Sequence, residues 1–86
     1  MSNLEKWNEI TKGLFRYVVG ANVCYEIQLI YYEHNTDILQ AEAMLYLVGD
    51  WYNGKSFFRR EPLTEEITTV KKCLEIAERD FKENMQ

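Results

Sequence analysis

From Leu4 to Val18 the apolar residues recur at helical spacing. Leu4, Trp7, Ile10, Leu14 and Tyr17 or Val18 fall three and four apart and share one stripe. Ser2-x-x-Glu5, at the head of that stripe, has the form of a capping box, in which hydroxyl and carboxylate each satisfy an orphan backbone donor. Gly20 suits the position just past a last helical turn, because it takes a positive φ without steric cost. These signals predict a helix running up to Gly20. Gly13 opposes them, since a glycine inside a helix costs about 1 kcal/mol relative to alanine. The rival reading ends the helix at Lys12 and starts extended chain at Leu14. The longer helix is preferred because the stripe stays in phase beyond Gly13.

At Val23 the period changes to two. Val23, Tyr25, Ile27, Leu29 and Tyr31 point one way, and Asn22, Cys24, Glu26, Gln28 and Ile30 the other, the mark of a half-buried strand. His34-Asn35-Thr36-Asp37 supplies turn chemistry. Alternation then resumes, with Leu39, Ala41, Ala43, Leu45 and Leu47 on one face and Gln40, Glu42, Met44 and Tyr46 on the other. Pairing residues whose numbers sum to 70 or 72 keeps both apolar sets together; in the second register Leu29 faces Ala43 and Ile27 faces Leu45. Asn53-Gly54 between Tyr52 and Lys55 is a strong hairpin signal, because a type I′ turn needs positive φ at both central residues. Ser56 to Arg60 reads as a third strand, ended by Pro62, which lacks a ladder donor.

The last segment reads as a helix capped by Thr64, with Glu65 and Glu66 in its first turn. Ile67, Val70, Leu74, Ala77 and Phe81 form its stripe, widened by Cys73 and Ile76. Lys71 with Glu75, and Glu78 with Lys82, make i,i+4 pairs on the other side. Glu83 to Gln86 reads as a fraying tail. The pattern therefore predicts an α+β fold of order α-β-β-β-α. It is a three-stranded antiparallel meander with two helices packed on one face, forming a single domain over residues 1–86.

Composition narrows the class. A chain of 86 residues, 47% apolar and 14% aromatic, holds one modest core and is not expected to be disordered. Apolar runs such as Met44 to Val48 are too short to span a bilayer, so no membrane partner is expected. Met1 to Lys6 has no basic region leading into an apolar stretch, so no secretory signal is expected. Cys24 and Cys73 sit among apolar residues and read as reduced thiols in a cytoplasmic protein. The net charge of −4 disfavours general binding to a phosphate backbone. Basic charge is nevertheless concentrated locally: Lys55, Arg59 and Arg60 lie in a stretch without acids.

Catalytic chemistry is sparse. His34 is the one histidine and falls in a turn; Cys24 lies about 30 Å from it along an extended strand, too far to form a pair. One histidine and two distant cysteines do not make a zinc site, and there is no phosphate-binding loop. Glu26 and Glu42 project from adjacent strands but read as solvated acids, not a catalytic pair. No enzyme, no catalytic residue, no cofactor and no metal is expected.

Two groups of residues suit an interface. On the face opposite the helices, Ile30, Tyr32, Met44, Tyr46 and Val48 are more apolar than a solvated face requires, which favours cover by a second copy. In the hairpin, Trp51, Tyr52, Lys55, Phe57, Arg59 and Arg60 combine aromatics with cations, the types enriched in interface hot spots and in single-strand nucleic-acid sites. The bland alternative puts the aromatics in the core and pairs Arg59 and Arg60 with Glu26, Glu42 or Glu61.

The α-β-β-β-α order resembles that of the double-stranded RNA-binding domain, without that family's basic start to its second helix, since Thr64-Glu65-Glu66 stands there. The opening Met1-Ser2-Asn3-Leu4-Glu5-Lys6-Trp7-Asn8-Glu9-Ile10-Thr11-Lys12-Gly13-Leu14 and the stretch Tyr46-Leu47-Val48-Gly49-Asp50-Trp51 look like small proteins of conjugative transposons in Gram-positive bacteria. That resemblance implies an accessory protein of a mobile genetic element and carries over no site residue. The reading that follows is a non-enzymatic protein–protein interaction module, a homodimer or the partner of another protein. A nucleic-acid-directed regulator using Trp51 to Arg60 is the alternative, followed by an acidic DNA-mimicking anti-restriction protein.

Overall fold

The run Leu14-Phe15-Arg16-Tyr17-Val18-Val19 is rich in aromatic and β-branched residues, which fit a pleated, half-buried surface better than a helix. In the computed structural model, which describes residues 3–51 and 57–84, this run is extended. Gly13 turns the chain at φ +83°, a conformation that L side chains rarely adopt. The segment 8–20 is therefore a hairpin of β1 (Asn8–Thr11) and β2 (Leu14–Gly20). The expected N-terminal helix is absent. Among the described residues a single 3-10 turn, Leu4–Lys6, precedes β1, and Asn3 caps it by accepting from the Glu5 amide at 3.0 Å. The rival reading of extended chain from Leu14 is the one observed. The helical stripe coincided with residues whose intrinsic preference lies with strands.

Three more long elements follow: β3 (Val23–Tyr31), β4 (Glu42–Trp51) and β5 (Phe57–Pro62). A two-residue strand, β6 (Thr68–Thr69), leads directly into α1 (Val70–Asn84). The sheet order is β1-β2-β3-β4-β5, antiparallel throughout, with β6 on the same edge of β4 as β5 but at its other end. The expected three-stranded meander with two helices is thus overturned by a five-stranded meander, extended by β6, with one C-terminal helix. The chain order that resembled the double-stranded RNA-binding domain is not the one found.

The β3–β4 register has residue numbers summing to 72, with Leu29 opposite Ala43 and Ile27 opposite Leu45. It slips at Ile30, because Tyr31 then faces Glu42. One extra residue in β3 is a β-bulge, and it breaks the alternation there. The Asn53-Gly54 turn lies outside the described residues, although the flanking ladder from Tyr46↔Pro62 to Trp51↔Phe57 is antiparallel as a hairpin requires.

The helix starts later than its sequence suggests. Thr69, not Thr64, caps it, its hydroxyl accepting from the Lys72 amide at 3.1 Å. The β-branched pair Thr68-Thr69 instead extends the β4 edge. Thr64 is buried there, where its hydroxyl accepts from the Leu45 amide at 3.3 Å. Glu65 and Glu66 consequently precede the helix and are exposed.

The core lies between α1 and one sheet face. Phe15, Tyr25, Ile27, Ala43 and Leu45 meet Val70, Cys73, Leu74 and Ala77, with Trp7 closing one end against Tyr17 at a ring separation of 5.5 Å. Each large aliphatic side chain removed from water contributes about 1.5–3 kcal/mol. Tyr25 is buried, and its hydroxyl donates to the Asp80 carboxylate on α1. Burial, then the Asp80 hydrogen bond and charge, push this phenol far above its ordinary 10.0. No helix among the described residues is long and apolar enough to cross a membrane.

Candidate interaction face

Because α1 covers one face, the side chains that alternate out of the core stand on a second face without a helix. Across its middle, Arg16 on β2 is the direct cross-strand partner of Glu26 on β3, and Glu26 is that of Tyr46 on β4. Arg60 arrives from β5, whose backbone pairs it with Val48. Its guanidinium lies over the Tyr46 ring, 3.7 Å from the centroid, and so bridges β4 to reach Glu26. Arg60 Nε donates to Glu26 Oε1 at 3.0 Å, and its Nη2 forms an ion pair with the same oxygen at 2.8 Å. Nη2 also donates to Gln28 Oε1 at 2.8 Å. Arg16 Nε donates to Glu26 Oε2 at 2.9 Å.

The electrostatics are asymmetric. Glu26 is only 3% exposed, whereas both arginine side chains are 36% exposed. Removing a carboxylate from water costs several kcal/mol, offset here by two guanidiniums and the N–H bonds from Arg16 Nε and Arg60 Nε. Two cations share one anion, so the cluster carries an excess positive charge. The Tyr46 face adds a cation–π contact of about 0.5–1 kcal/mol at such a part-exposed site.

The expected interface residues divide. Met44, Tyr46 and Val48 alternate with the core residues Ala43, Leu45 and Leu47 and share a face with Glu26, as expected. Val48 is already buried, and the half-buried Met44 takes a hydrogen bond at its sulfur from the Thr64 hydroxyl at 3.4 Å. Ile30 and Tyr32 do not continue this row, because the bulge falls at Ile30 and β3 ends before Tyr32. The exposed aliphatic residue at the other end is Val18, at 65%. The face is thus a polar, aromatic centre with apolar flanks, not the contiguous apolar patch the pattern suggested.

Of the hairpin candidates, Arg60 joins the site, through the Glu26 pairing that the sequence offered as the bland alternative. Trp51, Phe57 and Arg59 contribute backbone to the β4–β5 ladder, while Tyr52 and Lys55 lie outside the described residues. Sequence reasoning missed Arg16 because it placed residues 4–20 in a helix. Its alternation with Phe15 and Tyr17 was the available signal.

The remaining chemistry does not converge. Glu26 is enclosed by arginines, while Glu42 is exposed at the start of β4, so they form no carboxylate pair. Cys24 shares the Glu26 face and Cys73 the core, both as free thiols. Burial pushes Cys73 up to about 11 and raises Cys24 as well, with Arg16 partly opposing the latter shift. His34 is exposed and borders an open hollow of 520 Å³ with Tyr31, Tyr32, Glu9 and Lys12. No group of three potential metal ligands gathers among the described residues. Compared with known proteins, the chain matches no family model, no curated protein and no solved structure.

Proposed function

We propose that this chain is a non-enzymatic protein–protein interaction module and that the sheet face turned away from α1 is its working surface. The observation that supports this most is the one-sided cover of the sheet. Among the described residues a single α-helix packs on one face, and the other face holds arginine, tyrosine and aliphatic residues in fixed positions. Arginine and tyrosine are the types that carry binding energy at interfaces, and anchoring them in advance lowers the entropy lost on docking. Self-association is the first form of this function to test, because two-fold dimers are the commonest assemblies and Val18 offers an exposed aliphatic contact on this face. On the resemblance of its sequence to small proteins of conjugative transposons, this proposal extends to an accessory role in the cytoplasm, carried out through binding.

The test is sedimentation equilibrium of the wild type and of Val18→Glu. Val18 is exposed, so the substitution leaves the monomer's core intact. Association in the wild type and its loss in Val18→Glu supports the reading. A wild type that stays monomeric at high micromolar concentration removes self-association, and unchanged association in Val18→Glu moves it to another surface.

A further inference from the structure

We infer that the Arg16–Arg60 pair is an anion-recognition centre and that its ligand is a carboxylate-bearing, acidic polypeptide segment. This rests on the reading of the face as an interaction surface and adds the chemistry of the partner. One buried carboxylate holds two guanidiniums, each within 3.0 Å, so their positions are set before any ligand arrives. Glu26 neutralises only one of the two. Arg16 uses Nε alone on Glu26 and has no second partner among the described residues, so its two terminal nitrogens remain available to other acceptors. That fork matches a carboxylate in bidentate geometry.

The positive centre is local, on a chain whose net charge is −4. A second copy docked across a two-fold axis at this centre would set arginines against arginines, so self-association has to place its axis nearer the aliphatic flanks. A nucleic acid would extend well beyond two guanidiniums and meet the acidic remainder, where each phosphate is repelled. A short acidic peptide segment fits both constraints. It satisfies the excess charge and need not be longer than the row of side chains across the sheet.

The experiment is a titration followed by calorimetry at low salt. The probes are a decapeptide of Asp and Glu, the same peptide with Asn and Gln, and a single-stranded DNA decamer. The expected result is binding of the acidic peptide only, weakening steeply as salt rises past about 0.1 M. Arg16→Gln should bind roughly tenfold more weakly, the loss of one charge-assisted pair, with Arg16→Lys between it and the wild type. Far-ultraviolet dichroism and a thermal melt establish that each variant is folded, and Arg60→Gln gives a second reading if Arg16 variants melt early. No binding of the acidic peptide, equal binding of the neutral peptide, or full affinity in folded Arg16→Gln overturns the inference. Tighter binding of the DNA decamer also overturns it and assigns the centre to nucleic acid. If the peptide fails while the wild type still associates through Val18, the inference falls and the interaction module stands.

Discussion

Removing both arginines from Glu26 should cost more than the two single losses added together. In Arg16→Ala the carboxylate keeps Arg60, with its Nε hydrogen bond and Nη2 ion pair; in Arg60→Ala it keeps Arg16 and its single Nε hydrogen bond. Each single variant therefore loses charge-assisted hydrogen bonding while the buried charge stays paired. Allowing for guanidiniums that are 36% exposed, this comes to about 0.5–1 kcal/mol for Arg16→Ala and about 0.5–1.5 for Arg60→Ala, which also loses its stack on Tyr46. The double variant strips a carboxylate that is 3% exposed of every cation, and leaving a buried charge uncompensated costs about 3–5 kcal/mol. The expected coupling is about 2 kcal/mol, within the range for contacting residues. Urea unfolding followed by dichroism at pH 7 measures it. A domain of this size holds only about 4–13 kcal/mol in all, so the double variant sits near the limit of folding. Adding Glu26→Gln to it removes the charge and should restore much of the loss. Additivity within about 0.5 kcal/mol, or no recovery with Glu26→Gln, would refute the clamp.

Other outcomes follow from the core and the turns. Tyr25 is harder to deprotonate folded than unfolded, so its contribution is full below its ordinary 10.0 and is lost as pH rises above it. Cys73 acts with the same sign from its ordinary 9.0 upward. Urea midpoints of the wild type should therefore fall above about pH 9–10, and Tyr25→Phe should fall less steeply while being about 1–2 kcal/mol less stable at pH 7. Under a thiol-specific colorimetric reagent, half-buried Cys24 should react first and Cys73 only as the protein unfolds, which Cys24→Ser would assign. A Cβ on Gly49 would lie 2.9 Å from the Asn22 carbonyl oxygen, so Gly49→Ala should lower stability by about 1–3 kcal/mol in the same urea assay, with Gly20→Ala, whose Cβ has room, as the control.

Strict alternation made the β3 and β4 segments legible, because a one-residue slip would put an entire apolar set on the wrong face. The C-terminal helix was legible from Val70 onward for the same reason at period 3.6. The N-terminal third was misread because Leu4, Trp7, Ile10 and Leu14 match helical spacing by coincidence. Local preference in Phe15 to Val19 and the positive φ of Gly13 decide that segment instead. Ile67 to Thr69 failed similarly, since an unpaired β4 edge claimed residues that the stripe had assigned to a helix. The site was half visible. Met44, Tyr46 and Val48 follow from alternation, and the Arg60–Glu26 pair was an open alternative. Arg16 depended on an element that had been assigned wrongly, and no periodicity shows a bulge at Ile30.

An amide chemical-shift map of labelled protein, recorded across a concentration series and again with the acidic decapeptide, bears most directly on the working face. The account predicts perturbations at Arg16, Val18, Glu26, Met44, Tyr46 and Arg60, and unmoved signals along the solvent side of α1. Perturbations gathered on α1 or on the β1 edge, with the Glu26 row unmoved, would contradict it.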